Sequence, residues 1–316
     1  MDNLIIQLKQ RIPLHYVSLE KLTLPVDEKQ QNEILQTLIN ISETNKYYSM
    51  SIIKKLIDKF EKCSEMEIIE AYYEYLMEWL DAKPLKPTDT DLITYTFNEN
   101  HEIIIQESPN LISGLGTTGL RTWEASLYLA EYLLTHNVLK ESDDVLELGC
   151  GTGIVSISIL KQRQNFVGNS DYGKLFITDG DSQLVEIVKN NIELNKININ
   201  NYEIRKLWWG EDYIPTNVKT LIAADVTYDA SVIPDLVHVL NEGISEGNVQ
   251  TAYVAATKRN EETLSVWEQW LDMGVTDGTW SWSVIATNDS NGNDTSLFYG
   301  GTLTPIYLYC VQRINN

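Results

Sequence analysis

The sequence predicts an α/β protein: a seven-stranded sheet closing on a C-terminal antiparallel hairpin, preceded by a helical N-terminal domain. Three observations predict it. An apolar run breaks into glycines at alternate positions, Val145-Leu146-Glu147-Leu148-Gly149-Cys150-Gly151-Thr152-Gly153. Strand and helix patterns alternate downstream of it. The last two strand patterns, Trp280–Ala286 and Pro305–Gln312, are separated by the polar segment Asn288–Thr295 and by Gly300-Gly301, as in an antiparallel pair.

From residue 2 to about 80, apolar residues recur at three and four, which predicts helices over Asn32–Ile41, Tyr47–Lys62 and Glu65–Leu80. The stretch Asp81–Asp91, with Pro84 and Pro87 among polar residues, reads as a linker, so the domains divide as 1–90 and 91–316. Leu92–Phe97 and Glu102–Gln106 have strand composition, and Thr122–Leu134 has helical spacing. Strands then follow at Asp144–Leu148, Lys174–Thr178, Glu203–Trp208, Thr220–Asp225 and Thr251–Ala256, with helices beginning near Ile154, Ser182, Ser231 and Glu261. Such alternation makes a parallel sheet with crossover helices on both faces. Gln162–Lys174, with its Asn, Gly and Ser, reads as a surface loop.

Bulk chemistry narrows the function. The 316 residues carry a formal charge of −21, which argues against direct nucleic-acid binding, dominated as that is by Lys and Arg on phosphates. A basic protein patch is the better electrostatic match. Cys63, Cys150 and Cys310 lie far apart and there are four histidines, so no disulfide framework and no metal site is expected. No uncharged apolar stretch approaches the ~18 residues of a membrane span, and the N-terminus lacks a secretory pattern; a cytoplasmic protein with no membrane partner is expected.

The glycine turn specifies the kind of ligand. A dinucleotide fingerprint, G-x-G-x-x-G, needs its third glycine at position 154, where this chain has Ile154, so a pyrophosphate cradle is disfavoured. Glu147 repels phosphate and attracts an ammonium or hydroxyl, which points to a cationic cofactor. Asp179 ends the next strand, where a carboxylate accepts both hydroxyls of a ribose; capping the following helix is the alternative, although Asp181 or Ser182 suits that better. The third strand ends in Trp208-Trp209; alternation puts the two on opposite faces, with Trp209 favoured as the ligand contact and Trp208 in the core. The fourth ends in Asp225-Val226-Thr227-Tyr228, a carboxylate and a phenol suited to an amine nucleophile, or else a helix cap and a buried tyrosine.

Together these residues resemble the class I, seven-β-strand, Rossmann-like S-adenosylmethionine-dependent methyltransferases. Val145–Gly153 matches their first motif, and Asp225 to Tyr228 the D-x-x-Y signature of the lysine-modifying branch. The upstream Thr117-Thr118-Gly119-Leu120-Arg121-Thr122-Trp123-Glu124-Ala125, with the helical N-terminal domain, resembles the eukaryotic elongation factor 2 lysine methyltransferase family. That resemblance implies S-adenosylmethionine as cofactor, S-adenosylhomocysteine as product, and a monomer acting on elongation factor 2. It implies Glu147, Gly149 and Gly151 at the methionine moiety, Asp179 on ribose, Trp209 and Ala224 at the cofactor, and Trp123 covering it. Asp225 and Tyr228 are the implied catalytic residues. Thr117, Thr118, Arg121 and Glu124 either line the site or, for Arg121, form a structural ion pair. A methyltransferase for small molecules, and a non-catalytic translation-factor-binding module, are the competing expectations. The intact Glu147, Asp179 and glycines speak against the second of these.

Overall fold

A computed structural model describes residues 2–98, 101–111, 118–165, 172–288 and 304–314. It divides into two compact units, the first within residues 2–111 and the second comprising 118–288 with 304–314. Among the described residues no helix is long and apolar enough to cross a membrane.

The first unit carries helices α1 (Asp2–Lys9), α2 (Glu28–Phe60) and α3 (Ala71–Glu78) and an antiparallel hairpin of β1 (Asp91–Asn98) and β2 (His101–Glu107). Asp27 caps α2 in a reciprocal capping box with Gln30. The helices expected over 32–41 and 47–62 are the two halves of α2, broken at Asn45 (φ −140°, ψ 70°), whose side-chain oxygen accepts from the Tyr48 N–H as a cap does. The third begins at Ala71, not at residue 65. The hairpin belongs to this unit, so its compact boundary lies beyond the linker.

Asp91 shows why composition misleads in that linker. It is fully buried, not a solvated linker residue. The Arg11 guanidinium grips both its oxygens at 2.9 and 3.1 Å, and Thr44 and Asn45 donate to it at 2.5 and 2.8 Å. One carboxylate therefore ties the end of α1, the break in α2 and the start of β1.

In the second unit α4 (Glu124–His136) precedes the sheet, whose strands are β3 (Asp144–Leu148), β4 (Leu175–Asp179), β5 (Tyr202–Lys206), β6 (Val218–Ala224), β7 (Thr251–Thr257), β8 (Trp280–Thr287) and β9 (Ile306–Arg313). The spatial order is β5-β4-β3-β6-β7-β9-β8; β9 runs antiparallel to both neighbours and the rest pair in parallel. This is the expected seven-stranded, Rossmann-like sheet with its C-terminal hairpin. The crossover helices are α5 (Ile154–Asn165), α6 (Ser182–Leu194), α7 (Ile233–Asn241) and α8 (Glu261–Thr276). Val145, Leu146 and Leu148 of the central β3 are buried, as an apolar strand covered on both faces should be. The loop expected at 162–174 begins later: α5 runs to Asn165, burying Arg163, and 166–171 lie outside the described residues. So do most of the polar residues between β8 and β9.

Asp91→Ala should destabilise the first unit by about 3–5 kcal/mol, because it leaves Arg11 buried without its counter-charge. Urea unfolding followed by circular dichroism checks this; a loss under 1 kcal/mol would mean that the cluster is not the organising contact of that unit.

Candidate active site at the carboxyl edge of the sheet

The parallel ladder does not stop where the strands stop. Cys150 N–H donates to Thr178 O at 2.9 Å, Leu207 N–H to Asp179 O at 2.9 Å, and Asp225 N–H to Ala255 O at 2.8 Å. The turns after β3, β5 and β6 are thereby pinned to neighbouring strands, and the cleft that they border measures about 260 Å³. Ligands of open α/β sheets bind at this edge.

The glycines of the first turn serve two purposes. Gly149 has φ +65°, and a Cβ there would sit 2.8 Å from Val226 Cγ1. Gly151 has φ +53° and directs its N–H at the Asp179 carboxylate, 3.0 Å away. The left-handed conformation that glycine tolerates is what points that N–H at the next strand. Thr152 exchanges a 2.8 Å hydrogen bond with Thr122, joining this turn to the segment before α4.

Asp179 lines the cleft. One oxygen accepts from Gly151, the other from the Asp181 N–H at 3.0 Å. A carboxylate has about four lone-pair sites, so acceptor capacity for two hydroxyls remains. Burial raises the Asp179 pKa, against the backbone N–H groups of Asp181, Gly151 and Gly180 that lower it. The cap of α6 is Asp181, which accepts from Gln183 N–H at 2.8 Å, so Asp179 is not needed for that task.

Glu147 departs from expectation. It is buried and absent from the cleft wall, its carboxyl held by the Ser156 hydroxyl. Burial pushes its pKa up to about 8, which favours the protonated form near neutrality. The carboxylates that do line the cleft are Asp179, Asp181, Asp225 and Asp235. The preference for a cationic ligand therefore stands on different residues.

The tryptophans also differ. β5 ends at Lys206, so both follow the strand and strand alternation no longer sorts them. Leu207 is the core residue; Trp208 and Trp209 both line the cleft. Trp208 is 50% exposed, its ring packed over Gly180, where a Cβ would meet it at 3.1 Å. Trp209 packs against the apolar core with its ring edge near Gly149. Trp208 is thus a cleft residue, not the core residue expected.

Ala224, Asp225 and Tyr228 also line the cleft, and Tyr228 is 53% exposed. Asp225 is buried and non-glycine at φ +58°, a conformation aspartate tolerates better than most residues. Both of its oxygens are engaged by Arg259, at 2.8 and 2.6 Å. Sequence reading missed Arg259, which lies 34 positions downstream in a short polar loop. Trp123 lines the cleft too, donating its indole N–H to Thr118 O at 3.0 Å. Its ring has Arg121 at 4.4 Å and Arg259 at 4.6 Å from the centroid. Thr118 and Arg121 reach the cleft, and Arg121 also pairs with Glu124 at 3.6 Å, so its two expected roles coexist. Thr117 lies outside the described residues. Cys150 lines the cleft, but burial raises its thiol far above the nucleophilic range.

This donor set tests the implied cofactor. Indole surface, an acceptor at the end of β4 and a ring of carboxylates suit an aromatic base, a ribose and a cationic chain; they suit a diphosphate poorly.

The model of the lysine methyltransferase family matches residues 98–286. The chain is 36% identical over 296 residues to protein-lysine N-methyltransferase EFM3 of Saccharomyces cerevisiae, covering 83% of this chain and 84% of that protein. It is 30% identical over 240 residues to the EFM3 protein of Chaetomium thermophilum, covering 68% and 69%. Over 233 residues it is 30% identical to the human protein-lysine N-methyltransferase EEF2KMT, covering 68% and 67%.

The raised pKa of Glu147 has a sign that can be measured. In the unfolded chain this carboxyl ionises near ~4.3, while in the folded protein it holds its proton to about 8. Its contribution to stability is full below the unfolded value and is lost as pH rises to the folded one. Glu147→Gln should therefore gain stability on the wild type between pH 5 and 8. Thermal unfolding of both proteins across that range checks this; a constant difference in Tm would show that Glu147 ionises normally.

Proposed function

This chain belongs to the lysine methyltransferase family, and on that premise we propose that it transfers a methyl group from S-adenosylmethionine to a lysine side chain of elongation factor 2. The observation that carries the proposal is the convergence of Asp179, the paired indoles and the Asp225–Tyr228 wall on one cleft. Support for this substrate comes from the resemblance of the Thr117–Ala125 segment. It also comes from similarity to EFM3 and EEF2KMT over two thirds or more of both chains.

In this reading Asp179 would hold the ribose, Trp208 and Trp209 would offer indole surface to the base, and Gly149, Gly151 and Ala224 would border the methionine portion. Trp123 covers the cofactor. When bound, S-adenosylmethionine supplies a methyl group already activated by its sulfonium. The protein's work is then positioning, for which holding the reactants in line is worth several kcal/mol. A lysine amine has an ordinary pKa of ~10.4, so presenting it neutral at pH 7.4 costs about 4 kcal/mol unless its surroundings lower that value. Asp225 accepts a hydrogen bond from the amine and orients it, and Tyr228 offers its ring face or hydroxyl. Glu147 sits beneath the turn with its carboxyl held by Ser156. The cytoplasm, where elongation factor 2 works, is the proposed site of action, and the first unit is proposed to recognise the folded substrate.

Purified protein, methyl-labelled S-adenosylmethionine and unmethylated elongation factor 2 should yield label on one lysine, located by peptide mass spectrometry, with Asp225→Ala reducing the rate about 100-fold. Absence of label on elongation factor 2, under conditions where S-adenosylhomocysteine binds, would exclude this substrate. For the first unit, hydrogen exchange within residues 2–111 should slow when elongation factor 2 is added; unchanged exchange there would remove its recognition role.

A further inference from the structure

The ion pair on the cleft wall changes what Asp225 can do. Its carboxylate has about four lone-pair sites. Arg259 takes one on each oxygen, and the Thr257 N–H approaches Oδ1 at 3.4 Å. One acceptor site remains, on Oδ2. The guanidinium is itself held: it stacks on the Trp123 ring, and Asn260, the next residue, caps α8 by accepting from Glu262 N–H at 2.8 Å. Asp225 is fixed from the other side by its N–H on Ala255 O. A bidentate pair anchored at both ends is a rigid part of the site, not a mobile surface contact.

We infer that Arg259 is a positioning residue for methyl transfer: it orients Asp225 and neutralises its charge, so that the carboxylate takes one hydrogen bond from the incoming amine without holding it as ammonium. The inference rests on the proposed lysine reaction. A lone carboxylate beside an amine favours its charged form, and the charged form has no lone pair with which to accept a methyl group. Pairing with a guanidinium removes most of that bias while keeping the acceptor. The other charged or titratable groups around the cleft are fixed elsewhere or belong to other walls. Arg121 is paired with Glu124, Asp179 with two backbone N–H groups, Asp181 caps α6, Asp235 lies on α7, Cys150 is a buried thiol and Tyr228 a phenol. Substituting Arg259 leaves them in place.

The test compares two ligands that differ by one methyl group and the charge that it brings: S-adenosylmethionine is cationic at sulfur and S-adenosylhomocysteine is not. Calorimetric affinities for both would be measured in wild type, Arg259→Gln, Arg259→Lys and Asp225→Asn. Arg259→Gln, which unmasks the carboxylate, should raise the preference for the cationic ligand about threefold or more. Arg259→Lys keeps the charge and should stay within about twofold of wild type. Asp225→Asn leaves the guanidinium unpaired and should shift the preference the other way. A purely structural role would weaken both ligands alike; an unchanged ratio in Arg259→Gln and Asp225→Asn would overturn the inference. Should Arg259→Gln fail to fold, Asp225→Asn and Arg259→Lys still decide it.

With elongation factor 2, the rising limb of kcat against pH should move up by about one unit in Arg259→Gln with KM not raised. A uniform loss of kcat at every pH would contradict the charge role. If wild type does not methylate elongation factor 2 while the ligand ratio still shifts, the substrate is wrong and the role of Arg259 in the cleft stands.

Discussion

The cleft depends on the parallel hydrogen-bond ladder continuing past the ends of its strands. Cys150 on Thr178, Leu207 on Asp179 and Asp225 on Ala255 convert three loops into extensions of the sheet. Loops usually move more than the elements that they join, and a methyl transfer needs reacting atoms held in line. Each pinned turn brings one chemical function: glycine N–H groups after β3, indoles after β5, and a carboxylate and phenol after β6. Thr178 adds a fourth tie, donating its hydroxyl to Glu147 O at 2.6 Å, which joins β4 to the strand that carries the glycines.

Charge is distributed in the site by burial as much as by sequence. Glu147 and Asp179 lie on adjacent strands, yet one is sealed beneath the turn against Ser156 with its pKa raised by burial, while the other lies on the cleft wall with two N–H donors. Asp225 is a third case, a buried carboxylate whose charge is met by a guanidinium. An isolated buried charge is costly, and pairing offsets that cost while leaving a directional acceptor. The net result is a cleft rich in carboxylates, only some of which present an uncompensated charge, which suits a ligand carrying a cation beside a nucleophile that must not become one.

Much of this was legible in the sequence, for identifiable reasons. Glycines at 149, 151 and 153 behind an apolar run admit few backbones, and the regular alternation from Asp144 onward admits few topologies, so strand positions agree within a residue or two. The misses are equally physical. A shift of two residues at the end of β5 removed the alternation on which the Trp208 assignment rested. Glu147 occupies a position whose depth depends on α5 supplying Ser156, which no spacing rule shows. Asp91 sits among linker-like residues because its partners, Arg11, Thr44 and Asn45, are distant in sequence. Arg259 is the most consequential miss: an arginine in a short loop carries no pattern, and only the fold brings it onto Asp225 and Trp123.

On the proposed reading, the cleft at the carboxyl edge takes S-adenosylmethionine with Asp179 on the ribose. The most direct measurement is titration calorimetry of S-adenosylhomocysteine against wild type and Asp179→Ala, with folding of both checked by circular dichroism. The wild type should show one site per chain, and the variant an affinity at least about tenfold weaker, equivalent to roughly 1.4 kcal/mol or more. Equal affinity in two folded proteins would contradict it.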